Sequence, residues 1–514
     1  MKRLNASISY VTKKARQSQP TVAAAGAALT AAQRAGYADL GELMQAAQVA
    51  SITDQPFDMS AAAGHKPGYY SRHKLYQQDF THVVQALAAA GHRLPYAASK
   101  YERLDNCYRQ TWFVVGGASE KARLALAFGC GLPLCPTCEA ARSHKRMIEL
   151  SDALEALQRA RAEAGKSPLV VLMLTETLPN CRGDQLGDYI DLLFRAHDKL
   201  MHYKAVQAVV LGTARSFEIT HKRDDDYHPH LHTLLLVEET YFSKRGGHSS
   251  YLSQADWANL HYKAVKAACK SLPIAWSDIQ QPEGQTFSVD VRRAYRKGAP
   301  ADARLADAAS SAGREATKYA CKPDELMHYN SDGSLDMAWS MDAVLTVQRA
   351  IYGRRRYTSS GLWREALTAC GYDAETAVDD AIGEVASLPL EERKPDSSGV
   401  AYLVMQQEFL PASVVQQADY YVRRVSATGI ADDDSPFFGT PLGDMIDHNI
   451  AQREARKARV AAAAQRLADD WTSAGIADGW TSDLLPDPAS GDVFGADPGD
   501  SCSDLLPDLE QMHL

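Results

Sequence analysis

A chain of 514 residues, 45% hydrophobic and 23% charged, is long enough for several domains and a sizeable core. It has no run of about 18 apolar residues, which excludes a membrane-spanning helix, and its first 35 residues lack a signal peptide's apolar block, so a cytoplasmic protein with no membrane partner is expected. The formal charge of −9 comes from the tail: nine of the 64 acids and none of the 55 basic residues lie in 478–514, leaving a neutral body that can still carry a basic groove.

Residues 1–100 read as a helical, partly disordered N-terminal region, basic and Ala-rich at its start. Residues 101–165 form a Cys-rich region. Cys107, Cys130, Cys135 and Cys138 gather four of the nine cysteines, and soft thiolates with a C-x2-C pair suit a structural, tetrahedral Zn²⁺; reduced core cysteines are the alternative. Met147, Leu150, Leu154 and Leu157 recur at helical spacing and predict an amphipathic helix over 139–164. Arg142, Lys145 and Arg146 at its start are suited to phosphate contact.

The pattern sharpens in 166–330. "PLVVLMLTET" predicts a buried strand, Leu186, Ile190, Leu193, His197 and Leu200 trace a helix, and "AVQAVVLGTARSFEIT" and "HPHLHTLLLV" predict two strands around the polar loop "HKRDDDY". A helix follows, opened by Ser253 and Asp256 at capping spacing, then the strand "TFSVDVRRA" and a last helix over 301–321. The order β-α-β-β-α-β is the split ferredoxin-like pattern, so the fold class expected is α+β: an antiparallel sheet with the His-rich strand at its centre. Residues 331–475 read as a basic, mainly helical C-terminal region with a long helix over 444–471, and residues 476–514 as an acidic, disordered tail carrying "SDLLPD" twice.

His228, His230 and His232 alternate along one strand and therefore share a face. Positions two apart are separated by about 6.6 Å and four apart by about 13 Å along the strand, so one adjacent pair is the chelate. Pro229 suits a strand's first residue, which leaves His230 and His232 inside the sheet around a core-facing Leu231. A hairpin centred near Asp224 pairs Glu218 with His230 on that face, completing a three-ligand site with open positions for Mg²⁺ or Mn²⁺ on a phosphate oxygen; His228 is the alternative to Glu218. Glu315, Tyr319 and Lys322 fall at i, i+4 and i+7 and are expected on one helical face. That supplies a nucleophile in Tyr319, an acid in Glu315 to activate water, and a cation in Lys322 for the tyrosinate or the phosphate.

Together these residues resemble the HUH (His-hydrophobe-His) endonucleases, specifically the rolling-circle replication initiators of small bacterial plasmids. "LVVLMLTET" resembles their first motif, "ARSFEIT" with "YHPHLHTLLLV" their metal motif and the strand before it, "EATKYACK" their Tyr-x-x-Lys motif, and "CGLPLCPTC" their Cys cluster. The resemblance spans about Leu104 to Glu365. It implies that the protein nicks one strand of plasmid origin DNA, single-stranded or extruded as a hairpin, joining Tyr319 to the 5′ phosphate and leaving a 3′ hydroxyl primer. It also implies His230 and His232 as metal ligands and Glu315 as the acid that lets water end the cycle.

"RRAYRK", with Arg292, Arg293, Arg296 and Lys297, and "YGRRRY", with Arg354, Arg355 and Arg356, interleave basic and aromatic residues as single-strand grooves do; a solvated basic face is the other reading. No phosphate-binding loop with Lys-Ser/Thr is present, so host helicase and polymerase machinery are the expected partners. A rolling-circle transposase and a non-catalytic single-stranded DNA-binding module are the competing functions; the isolated Tyr319 with Glu315 favours replication over the first, and the intact His, Tyr, Lys and Glu set disfavours the second.

Overall fold

The computed structural model describes residues 69–116, 119–222, 225–242, 251–294, 321–372, 400–408, 418–426, 429–433, 452 and 455–473. Helix α1 (Tyr69–Ala89) precedes a hairpin of β1 (Gln110–Gly116) and β2 (Ser119–Ala127), then the long helix α2 (Pro136–Glu163). The central sheet begins with β3 (Leu169–Thr177) and continues through α3 (Leu186–Met201), β4 (Gly212–Lys222), β5 (Asp226–Glu238), α4 (Gln254–Ala268) and β6 (Val289–Arg293). Beyond it come α5 (Met337–Ile351), β7 (Tyr357–Gly361), α6 (Leu362–Ala369), β8 (Val400–Glu408), β9 (Ala418–Ser426), β10 (Gly429–Asp433) and α7 (Arg456–Ser473).

The central sheet has the order β6-β3-β5-β4-β7, with every neighbouring pair antiparallel. Its first four strands follow the split ferredoxin-like order, and the His-rich β5 is the middle strand, as expected. Period-2 patterning divides the core. Leu231, Leu235 and Val237 of β5 join Leu172 and Leu174 of β3 and Phe217 and Ile219 of β4 against α3 and α4. Leu234 and Leu236 join Val171, Met173 and Ala214 on the other face, against α2, α6 and α7. That second face also carries the even-numbered histidines and Glu218.

Several expectations shift. The long helix starts at Pro136, where a missing N–H costs nothing in the first turn, and ends at Glu163. The stretch expected as a strand from 205 instead opens with a helical turn, Lys204–Gln207, because Val206, Val209 and Val210 bury at helical spacing; β4 starts only at Gly212. The sheet also takes in β7, from beyond residue 330. Gly212 is required there: a Cβ would lie 2.9 Å from Ser360 O and Leu362 N, where the chain turns from β7 into α6.

A second antiparallel sheet, ordered β10-β9-β8-β1-β2, joins 110–127 to 400–433. The C-terminal helix α7 packs on α2, fixed by Arg456, which pairs with Asp152, as does Tyr372. The helix expected over 301–321 and the acidic tail lie outside the described residues, apart from Cys321. Among the described residues no helix is long and apolar enough to cross a membrane.

Candidate active site

The β4–β5 hairpin has the register expected from its sequence, with Glu218 opposite His230 and Ser216 opposite His232. Directly opposed residues share a face, so one carboxylate and two imidazoles project together. Glu218 Oε2 lies 3.1 Å from His232 Nε2 and 3.3 Å from His230 Nε2. The three ligand atoms lie within 4.8 Å of one another.

His230 Nδ1 lies 3.3 Å from the His228 carbonyl oxygen; with the Nδ1 proton donated there, Nε2 is free to present its lone pair to a cation in place of its contact with Glu218. His232 Nδ1 lies 3.2 Å from Thr175 Oγ1, across the β3–β5 ladder, which holds that ring from its outer nitrogen. Two imidazole lone pairs and a carboxylate oxygen are a donor set suited to a divalent cation with open positions. His228 stands apart from this set: its ring centroid is 5.5 Å from that of His230, and it is not among the three residues whose ligand atoms converge.

Burial pushes the Glu218 carboxyl up, but hydrogen bonds from His230 and His232 and the charge of Lys322 hold it well below the usual carboxylate range. Lys322 Nζ sits 3.2 Å from Glu218 Oε1 and 3.3 Å from Glu325 Oε1. Burial lowers the Lys322 ammonium, and those two carboxylates outweigh it and raise it. Lys322 thus reaches Glu218 of the candidate ligand set, a contact the sequence did not reveal, and not from a helical residue. Its backbone is extended (φ −68°, ψ 147°), because Pro323 disfavours the helical region for the residue before it. Glu315 and Tyr319 lie outside the described residues.

Beneath this face a buried polar cluster was not foreseen. Glu176, between Thr175 and Thr177, accepts a 2.5 Å hydrogen bond from His197 Nδ1, and His261 Nδ1 lies 3.1 Å from its other oxygen. His261 Nε2 in turn lies 3.1 Å from the Thr177 carbonyl oxygen. Nothing local marks these three residues, because they meet only through the packing of α3 and α4 on the sheet.

The four cysteines converge as expected. Cys107 Sγ lies 3.7 Å from Cys135 Sγ and 3.5 Å from Cys138 Sγ, and Cys130 Sγ lies 3.6 Å from Cys138 Sγ. With metal–sulfur bonds of about 2.3 Å a tetrahedral zinc site has sulfur edges of about 3.8 Å, so the cage fits. All four are buried, so the cluster leaves no position open to solvent. Arg142, beside it, is engaged with Glu139 and the Gly131 and Leu132 carbonyl oxygens.

The basic segments divide. Arg354 makes a bidentate pair with Asp191, both contacts 2.7 Å, and Arg356 pairs with Glu139, so these two guanidinium groups close internal contacts that sequence alone did not reveal. Arg355 between them is exposed, as are Arg292 and Arg293 on β6. Arg292 Nε lies 3.5 Å from Asp290, and Arg293 stacks 3.7 Å from the Phe242 ring centroid. Arg296 and Lys297 lie outside the described residues.

A family described as Replication protein matches residues 121–407, more than half the chain. Relatives named Protein rep include one from Bacillus amyloliquefaciens, 30% identical over 268 residues that cover 50% of this chain and 71% of the relative. Another, from Bacillus sp, is 30% identical over 265 residues covering 50% and 78%. A third, from Lentilactobacillus hilgardii, is 28% identical over 268 residues covering 52% and 74%. No solved structure matches. With an HUH strand at the centre of the sheet and a convergent metal-ligand set beside it, the chain belongs to the Rep family of HUH-type replication initiators and is a metal-dependent nuclease.

Proposed function

We propose that this protein starts rolling-circle replication by nicking single-stranded DNA at a plasmid origin, with Tyr319 as nucleophile. The observation that carries the reading is the convergence of Glu218, His230 and His232, with Lys322 on the far oxygen of Glu218. Tyr319 is three residues before Lys322, so its Cα is within about 11 Å of that of Lys322 whatever the conformation between them.

A divalent cation, Mg²⁺ or Mn²⁺, bound by Glu218, His230 and His232, would act as a Lewis acid on the scissile phosphate. Thr175 and the His228 carbonyl hold the two imidazoles from their outer nitrogens, with Nε2 of each toward the metal position. Tyr319 Oη forms a bond to phosphorus and loses its proton; the bond from phosphorus to the 3′ oxygen breaks, and that oxygen takes up a proton as the 3′ hydroxyl primer. Lys322 offsets charge developing on the phosphate. Glu315 then activates water, whose attack releases Tyr319 and ends the cycle. The nicking domain over 166–330, the structural Zn²⁺ in the cysteine cage, DNA contacts from the exposed arginines and recruitment of a host helicase and polymerase belong to the same reading.

The test is a denaturing gel of single-stranded fragments tiling the DNA around this gene, with Mn²⁺ or with chelator, for the wild type and Tyr319→Phe. A Mn²⁺-dependent protein–oligonucleotide adduct that Tyr319→Phe abolishes is the expected result. Cleavage that persists in Tyr319→Phe rejects the nucleophile, and binding without cleavage of any fragment returns the chain to the binding-module reading.

A further inference from the structure

His221 is a buried titratable side chain that the reaction outlined above does not use. It lies on β4 three residues past Glu218, and alternation turns it to the opposite face of the sheet. Its ring is stacked between two others: Tyr227 on β5, with centroids 4.0 Å apart and planes 2° apart, and Trp339 on α5, at 4.6 Å and 11°. Register fixes the first contact, since His221 is directly opposite Tyr227. The Asp336 side chain accepts from Trp339 N and caps the helix that supplies the second.

Stacking holds the ring, but its polar edge has a further partner. His221 Nδ1 lies 3.1 Å from the Glu325 carbonyl oxygen, one of those that a helix end leaves without an intrahelical donor. A carbonyl only accepts, so this bond puts the proton of the ring on Nδ1. Burial pushes the imidazole below its ordinary pKa, against that bond and the charges of Asp342, Asp225 and Asp226, so a neutral donor suffices.

Glu325 lies in the turn Pro323–Leu326, whose N-cap is Lys322. β7 pairs with β4 only as far as Ser216, and this turn lies against β4 beyond that point. Lys322 Nζ meets Glu218 Oε1 on the metal face at 3.2 Å, while the Glu325 carbonyl meets His221 on the other face. The two contacts grip the segment 322–325 from both faces of one strand. They differ in what they fix. The Lys322 side chain is long and 41% exposed, so many backbone positions allow its contact; the bond to His221 is made by the backbone itself to a ring locked in a stack, and allows few.

We propose that His221 is a positioning residue for DNA nicking: its bond to the Glu325 carbonyl clamps the turn from which Lys322 reaches Glu218, and so sets the approach of the segment carrying Tyr319 to the scissile phosphate. The role in the reaction rests on the DNA-nicking reading; the clamp itself does not.

The test compares two variants of the full chain. His221→Phe keeps a ring between Tyr227 and Trp339 and lacks the donor, whereas His221→Asn loses the stack and keeps an N–H at nearly the place of Nδ1. At saturating DNA and Mn²⁺, His221→Phe is expected to form the protein–oligonucleotide adduct on the order of tenfold more slowly, with Mn²⁺ and DNA affinities unchanged and a melting temperature close to that of the wild type. His221→Asn is expected to melt lower but, at a temperature where it is folded, to keep most of the wild-type rate. Hydrogen exchange over 321–327, measured without DNA, should be on the order of tenfold faster in His221→Phe than in His221→Asn. If His221→Phe does not fold, His221→Leu takes its place, since it matches His221→Asn in lacking the stack and differs in the donor. A wild-type rate in the folded variant without a donor overturns the proposal, as do rates that follow melting temperature across the two variants. A wild type that forms no adduct on any fragment rejects the nicking reading, and the exchange comparison then decides alone whether His221 clamps the turn: equal exchange in the two variants overturns it.

Discussion

Lys322 and Glu218 meet at 3.2 Å, the ammonium on Oε1 and the two imidazoles on Oε2. One carboxylate therefore faces a fixed cation and a metal-ligand pair at once. The ammonium repels a second cation, so its removal should not weaken metal binding. Lys322→Ala is expected to bind Mn²⁺ at least as tightly as the wild type by calorimetry, while single-turnover adduct formation falls on the order of 100-fold. Loss of Mn²⁺ affinity in that variant would falsify the assignment of Lys322 to the phosphate.

Thr175 holds His232 from the opposite nitrogen at 3.2 Å. Thr175→Val keeps the shape and removes the hydroxyl, which frees the imidazole to turn. Mn²⁺ affinity should fall about 10- to 100-fold, Thr175→Ser should restore most of it, and the melting temperature should barely move. Equal affinity in Thr175→Val and the wild type would show that packing alone orients the ring.

The metal hairpin was legible in the sequence because a strand's period of two and a short polar loop fix register locally: Glu218 opposite His230 follows from counting outward from the loop. The contact of Lys322 with Glu218 was not, since Pro323 breaks the helical count one residue after it. The partners of Arg354 and Arg356 were not, because Asp191 and Glu139 reach them only when α3 and α2 pack beside β7. The second sheet was hidden for the same reason: Gln110–Gly116 pairs with Val400–Glu408 across most of the chain, and no local pattern specifies such a pairing.

The cysteine cage should carry one zinc per chain. Cys135→Ser is expected to lose that zinc in elemental analysis, and the melting temperature should fall by on the order of 10 °C. Mn²⁺ binding at Glu218, His230 and His232 should survive in the fraction that stays folded. Full zinc content in Cys135→Ser would place the ion elsewhere.

Glu176 gives the acid limb of the stability profile. Burial pushes its carboxyl up, but His197 and His261 beside it more than offset that and hold it at about 2, against a usual 4.5. A carboxyl whose folded value is depressed binds fewer protons folded than unfolded between those two values. Its contribution is therefore complete above about pH 4.5 and is lost as the pH falls toward 2. Glu176→Gln removes the charge but leaves both imidazoles buried without their anion, a loss of about 3 to 5 kcal/mol. Urea unfolding at pH 7 should show that difference, and it should shrink as the pH falls below 4.5, because the unfolded wild type then takes up a proton that the folded carboxyl binds only near pH 2. A difference that stays constant down to pH 3 would mean that Glu176 acts by shape, not by charge. Since Glu176 lies between Thr175 and Thr177, a loosened β3 should also release His232, so Mn²⁺ affinity is expected to follow stability in this variant, whereas Thr175→Val separates the two.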